Sequence, residues 1–273
     1  MVYIKWKIWY NYDIIVLIKD DKMIDIHTHI LPGIDDGARD IYDTLEMAAM
    51  AADIGVTAIV ATPHCNIPGM FDNYFGDAYV QVFMQASEAI RREGIPVQLL
   101  PGMEAFATYD LPDLLVDGKI MPLNQSRYVL MEFSFDEDPD YATDILKRVK
   151  AVGAKPVVAH AERYEFIQED LRVAYRWRSL GYVIQVNKGS LMGKFGRRAE
   201  KAAYRMIKHN LVSVIASDAH SPYQRTPYLL DAYAQLKEEY PKKVVDIMFQ
   251  DNPERICNNL PILKRKAIPF QNY

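Results

Sequence analysis

Residues 23–27 read MIDIH, the first of seven apolar, β-rich runs whose spacing decides the fold. The others are AIVATPH (58–64), VQLLPGMEA (97–105), YVLMEF (128–133), KPVVAHAER (155–163), YVIQVNKGS (182–190) and VSVIASDAH (212–220). Continuous apolar runs of this length suit strands buried on both faces, as in a parallel sheet. Between them lie amphipathic segments such as TLEMAAMAADIG, DAYVQVFMQASEAIRREG and YATDILKRVKAVG. Several stop at a glycine, the usual residue for a left-handed helix end. Two further helices, around 226–240 and 243–257, close the pattern. Strands alternating with helices imply right-handed βαβ crossovers and an α/β fold. Seven repeats, with no linker or composition shift to divide them, favour one domain and a closed or nearly closed seven-stranded barrel over a doubly wound sheet.

Composition narrows the function. The chain has 273 residues, 50% hydrophobic and 25% charged, so collagen-like, low-complexity and wholly disordered readings are excluded. Thirty-two Lys and Arg against 36 Asp and Glu leave a net charge of −4, unfavourable for a non-specific nucleic-acid binder. Cys65 and Cys257 are too few for a disulfide framework and form no CxxC pair, which points to a reducing cytoplasm. No apolar stretch approaches the ~18 residues of a membrane span. The lead MVYIKWKIWYNYDIIVLIKDDK (1–22) is interrupted by Asn11 and Asp13 and lacks an A-x-A cleavage pattern. It reads as an extension preceding a domain over 23–273.

The chemistry gathers at the strand ends. Of six histidines, His27, His29, His64, His160 and His220 stand at or just past the C-terminal end of a predicted strand, whereas His209 lies at a helix end. Glu104, Glu132 and Asp218 occupy the same level. In barrels this rim carries the catalytic groups. In His27-x-His29 the two side chains lie on one side of a strand, where one metal meets both, and Asp218-x-His220 repeats the pattern. Each residue alone has an ordinary structural reading as a hydrogen-bonded polar group. Eight ligand-type side chains on one rim do not. Neutral nitrogen mixed with anionic oxygen suits Mn, Fe or Zn. The loop GIDDGARD offers Asp35 and Asp36, and Arg163 and Arg225 follow His160 and His220 closely enough to grip a phosphate with their planar forks.

The pieces IDIHTHILPGIDDGA, ATPH, PGMEAF, HAERY, QVNKGSLMGKFG and ASDAHSPYQRTP resemble the polymerase-and-histidinol-phosphatase (PHP) superfamily. Within it they are similar to the manganese-dependent protein tyrosine phosphatases of Gram-positive capsular and exopolysaccharide operons. The resemblance runs from Met23 to about Asn258. It implies a distorted (β/α)7 barrel holding three metal ions, with Mn2+ expected. His27, His29, Glu104 and Asp218 would hold one ion. Glu104 would bridge to a second, held also by Glu132 and His160, and Asp36, His64 and His220 would hold the third. Arg163 and Arg225 match the family's two arginines, and Asp36 is a candidate to assist proton transfer. The implied substrate is phosphotyrosine, on the tyrosine-rich tail of a bacterial autokinase that controls capsule or exopolysaccharide export. The competing expectations are a small-molecule phosphatase, such as one for histidinol phosphate, and a catalytically silent PHP module. Two departures are the lead before Met23 and Cys65, where relatives commonly have a second histidine. There is no HCx5R signature, so a cysteine nucleophile is not expected.

Overall fold

A computed structural model describes residues 23–270. The expected extension over 1–22 therefore lies outside the described residues. The strands are β1 (Met23–Thr28), β2 (Val56–Ala61), β3 (His64–Cys65), β4 (Gln98–Pro101), β5 (Glu104–Phe106), β6 (Tyr128–Glu132), β7 (Lys155–Val158), β8 (Val183–Asn187) and β9 (Val214–Ala216). The helices are α1 (Ile41–Asp53), α2 (Asp77–Arg92), α3 (Leu111–Val116), α4 (Pro139–Ala151), α5 (Glu165–Glu169) and α6 (Arg172–Ser179). They continue with α7 (Lys188–Leu191), α8 (Gly196–Lys208), α9 (Leu230–Glu239), α10 (Lys242–Asp246) and α11 (Asn252–Cys257). Caps set several helix starts. Asp40 accepts from Tyr42 N and Asp43 N ahead of α1, and Asp138 does the same for Asp140 N and Tyr141 N ahead of α4, with Pro139 opening the helix.

All the strand pairs are parallel, as the α/β reading expects, but the ladder is not one continuous seven-stranded sheet. A three-stranded sheet runs β1-β2-β4, and a six-stranded one runs β3-β5-β6-β7-β8-β9. The division arises because two of the seven runs each break in the middle. AIVATPH parts into β2 and β3 across Thr62-Pro63, where proline offers no N–H to the ladder. VQLLPGMEA parts into β4 and β5 at Gly102, whose Cβ would stand 2.7 Å from Val60 Cγ1, so the chain passes too close for a side chain. The first and last strands meet at a short seam, where Asp218 N donates to His27 O at 2.9 Å and His29 N to Ala219 O at 2.8 Å. The expected helix over 243–257 is likewise interrupted. A wider π-type stretch, Ile247–Asp251, precedes Pro253, whose ring and missing N–H disturb the ordinary ladder.

Period-two alternation sorts the strand residues into two apolar clusters. Ile24, Val60, Leu100, Leu130, Val157, Val183 and Val214, one from each run, share the smaller cluster on the inner side of the curled sheet. Their neighbours Val129, Met131, Val158, Ile184 and Val186 face the helices, among Met47, Ile145, Trp177 and Met206. Extending the inner stripe two residues at a time toward the C-terminal strand ends replaces aliphatic side chains with polar ones. Leu130 gives way to Glu132, Val183 to Gln185 and Asn187, and Ala216 to Asp218. The apolar plug thus ends where the site begins.

Candidate metal centre

His27 and His29 would point to opposite sides of the sheet from Ile24 and Ile26 if the pairing were regular. A register shift between Asp25 and Thr28 turns them into the centre. Their Nε2 atoms come within 3.2 Å of each other. Glu104 Oε2 lies 3.1 Å from His27 Nε2, 3.2 Å from His29 Nε2 and 3.2 Å from His64 Nδ1. Asp218 Oδ1 is 3.4 and 3.5 Å from the same two Nε2 atoms. On the other side of Glu104, Oε1 is 3.0 Å from His160 Nε2, and Glu132 Oε2 is 3.7 Å from that nitrogen. His64 faces both ways: Nδ1 is 2.7 Å from Glu132 Oε1, while Nε2 is 3.4 Å from Asp36 Oδ1, which His220 Nε2 also meets at 3.4 Å. All nine sequence-predicted ligand residues therefore converge. Three groups offer atoms within 4.8 Å of one another: His27, His29 and Glu104; His64, Glu104 and Glu132; and His29, Asp36, His64 and His220.

The local backbone is bent to make this possible. His160 and Asp218 both sit in the left-handed region, at φ +32° and +52°, a conformation uncommon for residues other than glycine and concentrated at functional sites. Gly37 lets the 33–39 loop lie on the first strand's end, since a Cβ there would stand 2.1 Å from His29 O. That loop places Asp35 inside and Asp36 at the mouth. Asp35 accepts from His29 Nδ1 at 2.7 Å, from Gly37 N and from His64 N, so it aims the His29 ring and anchors the backbone of His64. Asp36, its side chain 55% exposed, turns toward His64 and His220.

The residues fit divalent cations. The buried Glu104 Oε2 has three imidazole nitrogens around it yet makes no hydrogen bond, and buried His220 Nε2 has no hydrogen-bond partner either. Such atoms are costly unless something else satisfies them. The protonation balance agrees. Burial opposes it, but the surrounding imidazoles hold Glu104 well below the usual carboxylate range. His160, pulled down by burial, is carried up to about 9 by Glu104 and Glu132. Burial and nearby His29 push His220 down to about 4, leaving a free lone pair at neutral pH. Against burial, the carboxylates thus raise the basicity of His160, His29 and His64 while His220 keeps a bare lone pair, a donor set in which divalent cations would take the place of the protons.

The two arginines reach the same cluster from the rim. Arg225 Nη2 lies 2.5 Å and Arg163 Nη1 3.7 Å from Asp218 Oδ2. Asp218 therefore turns one oxygen to the histidines and the other to the guanidiniums. Arg163 is held between the rings of Phe135 and Phe195, at 4.2 and 4.3 Å from their centroids. Cys65 is fully buried, and burial pushes its thiol up to about 12, which removes it as a nucleophile.

Three functional side chains escape the sequence reading. Gln185 Oε1 accepts from His27 Nδ1 at 3.0 Å and from His160 N at 2.8 Å, which fixes the tautomer that aims His27 Nε2 into the centre. Its Nε2 donates to Asn187 Oδ1 at 2.7 Å, and Asn187 Nδ2 donates to Asp218 Oδ2 at 2.5 Å. Beneath them the buried Glu162 accepts from Asn187 N and Ser190 Oγ. The signal for the first two was present: Gln185 and Asn187 continue the Val183 stripe at i+2.

Residues 23–258 match the family model described as capsular polysaccharide synthesis, CpsB/CapC. The chain belongs to the CpsB/CapC family. Among relatives of this CpsB/CapC protein, the tyrosine-protein phosphatase YwqE of Bacillus subtilis (strain 168) is 34% identical over 249 residues, covering 91% of this chain and 97% of YwqE. The tyrosine-protein phosphatase CpsB of Streptococcus pneumoniae is 30% identical over 239 residues, 86% of this chain and 98% of CpsB. A crystal structure from the work on YwqE and CpsB, described there as unique metal-dependent tyrosine phosphatases, superposes with a TM-score of 0.85 at 34% identity. It covers 92% of this chain and all of that one. The lactonase Lmo2620 of Listeria monocytogenes, at 12% identity and a TM-score of 0.56 over 90% of this chain and 95% of its own, shares the fold alone.

Proposed function

We propose that this CpsB/CapC protein is a metal-dependent phosphatase that hydrolyses phosphotyrosine in proteins. The observation that carries the reading is Asp218, whose two oxygens join the histidine and carboxylate cluster to the Arg163 and Arg225 guanidiniums on one rim. A phosphate seated there meets cation-holding residues on one side and two forked donors on the other. In this reading His27, His29, Glu104 and Asp218 hold one ion, Glu104, Glu132 and His160 a second, and Asp36, His64 and His220 a third, with Mn2+ as the metal. Bound divalent ions supply a water of lowered pKa and offset charge on the phosphate oxygens.

The chain's own groups do the rest. Arg163 and Arg225 bind the equatorial oxygens and stabilise the charge that develops as the ester bond breaks. Asp35 and Gln185 hold the imidazoles in place. The nearby imidazoles, His220 first and then His64 and His29, keep Asp36 below the usual carboxylate range, so Asp36 is ionised near neutrality and serves as a ligand better than as a proton donor. A phenolate leaving group, with a pKa near ~10, tolerates the lack of a strong acid. The remaining parts of the reading rest on the family resemblance, a distorted seven-stranded PHP barrel and a bacterial tyrosine autokinase as substrate, and on the sequence, a domain over 23–273 whose lead over 1–22 offers no ligand and is dispensable. A cytoplasmic location rests on the two free, buried cysteines.

Phosphotyrosine peptide and histidinol phosphate, assayed side by side with and without Mn2+, test the proposal. Metal-dependent turnover of the peptide is expected. Preference for histidinol phosphate would make the protein a small-molecule phosphatase, and no turnover of either would make it a silent module.

A further inference from the structure

Three cations gather at the opposite end of the sheet from the metal centre, among the segments that lead into the strands. Arg178 lies in the last turn of α6, Lys150 in the last turn of α4, and Lys264 on the C-terminal segment beyond α11. Arg178 is only 6% exposed, and its Nε is buried without a hydrogen-bond partner. No carboxylate among the described residues pairs with it, and burial alone lowers its pKa. Lys264 is lowered by burial, then by Arg178 and by Lys150, with no acid offsetting them.

The geometry is held from three directions. Trp177 Nε1 donates to Thr143 Oγ1 at 2.8 Å, tying α6 to α4. Asn252 brackets Leu263, accepting from its N at 2.7 Å and donating to its O at 3.1 Å, which fixes the chain next to Lys264. Lys150 Nζ donates to Leu180 O at 2.7 Å. Gly181 then turns with φ +91°, and a Cβ there would stand 3.7 Å from Lys264 Nζ and 4.0 Å from Lys150 Nζ. The two ammonium groups flank a notch that glycine leaves open.

Helix C-termini favour cations, but each offers only about half a charge, and Lys150 already uses the α6 end. Three full charges, one of them nearly buried, exceed that. A buried cation without a partner is costly, and a guanidinium's fork matches an oxyanion. We propose that this notch is an anion-binding site, distinct from the metal centre, that takes a phosphate-type oxyanion between Arg178, Lys150 and Lys264. Free phosphate and a phosphomonoester lipid headgroup present the same chemistry.

Calorimetric titration of the manganese-loaded full chain with inorganic phosphate tests the site, and the metal centre serves as an internal control. Two classes of phosphate site are expected in the wild type. Lys150→Gln and Lys264→Gln should each weaken one class by about tenfold while leaving the other class and p-nitrophenyl phosphate turnover unchanged. Lys264→Glu supplies a carboxylate in place of the ligand, so it should abolish that class and raise the melting temperature in phosphate-free buffer. Sedimentation with phosphatidic acid vesicles but not phosphatidylcholine vesicles, lost in the same variants, would assign the oxyanion to a lipid headgroup; phosphate binding without sedimentation would assign it to free phosphate. A single class of phosphate site without vesicle binding overturns the proposal. So does a second class that all three variants leave intact.

Discussion

Gln185→Leu isolates the layer of residues that aims the metal centre without being part of it. Leucine approximates the shape of the side chain and removes its amide. Gln185 is fully buried, so three partners lose their only complement: His27 Nδ1, His160 N and Asn187 Oδ1. At about 1–3 kcal/mol for each buried polar group left unpaired, the low end is already ~3 kcal/mol, a large part of a domain's ~5–15 kcal/mol. His27 also becomes free to rotate or exchange tautomers, which predicts a ~10–100-fold loss of metal affinity. Gln185→Glu separates the two effects. Its carboxylate still accepts from His27 and His160 but sets an acceptor against Asn187 Oδ1, so stability should fall while metal affinity stays closer to wild type than in the leucine variant. Titrating Mn2+ against p-nitrophenyl phosphate turnover, with denaturant unfolding of the same samples, reads both quantities. If the folded leucine variant keeps wild-type metal dependence, Gln185 does not orient His27, and the reasoning fails.

Glu104→Gln should abolish turnover and lower metal content by elemental analysis, because one neutral amide replaces a carboxylate that faces four histidines; full occupancy at a wild-type rate would reject its bridging role. Arg163→Ala or Arg225→Ala should lower kcat/KM by ~100-fold with metal content unchanged, since guanidinium is not a ligand. Lysine at either position should restore only part of the rate, and wild-type kinetics in both alanine variants would remove the phosphate clamp. Cys65→Ala should leave kcat intact, and iodoacetamide should not inactivate the native enzyme. Loss of activity in either experiment would reopen a cysteine mechanism.

The sequence by itself determined the α/β class, the seven runs and the rim on which the chemistry lies. Strand periodicity is local, and residues at the C-terminal end of a parallel strand share a rim whatever the side chains do. His27-x-His29 and Asp218-x-His220 were legible as ligand-type residues at strand ends, whereas their facing the centre depends on the register shift in β1 and the left-handed turn at Asp218. Which acid of the Asp35-Asp36 pair turns inward was not legible, because it depends on Gly37 lying against His29, two segments brought together only by folding. The breaks at Pro63 and Gly102 were visible as residues, but their outcome, two ladders in place of one, depends on how close neighbouring strands approach. The left-handed turns at His160 and Asp218 have no sequence signature, since nothing but the surrounding fold holds them there. Gln185 and Asn187 show the boundary most clearly. Their inward side follows from counting in twos, whereas their partners are 158 and 31 residues away in the chain, in His27 and Asp218. Hydrogen bonds across such separations are set by tertiary packing, and no local pattern encodes them.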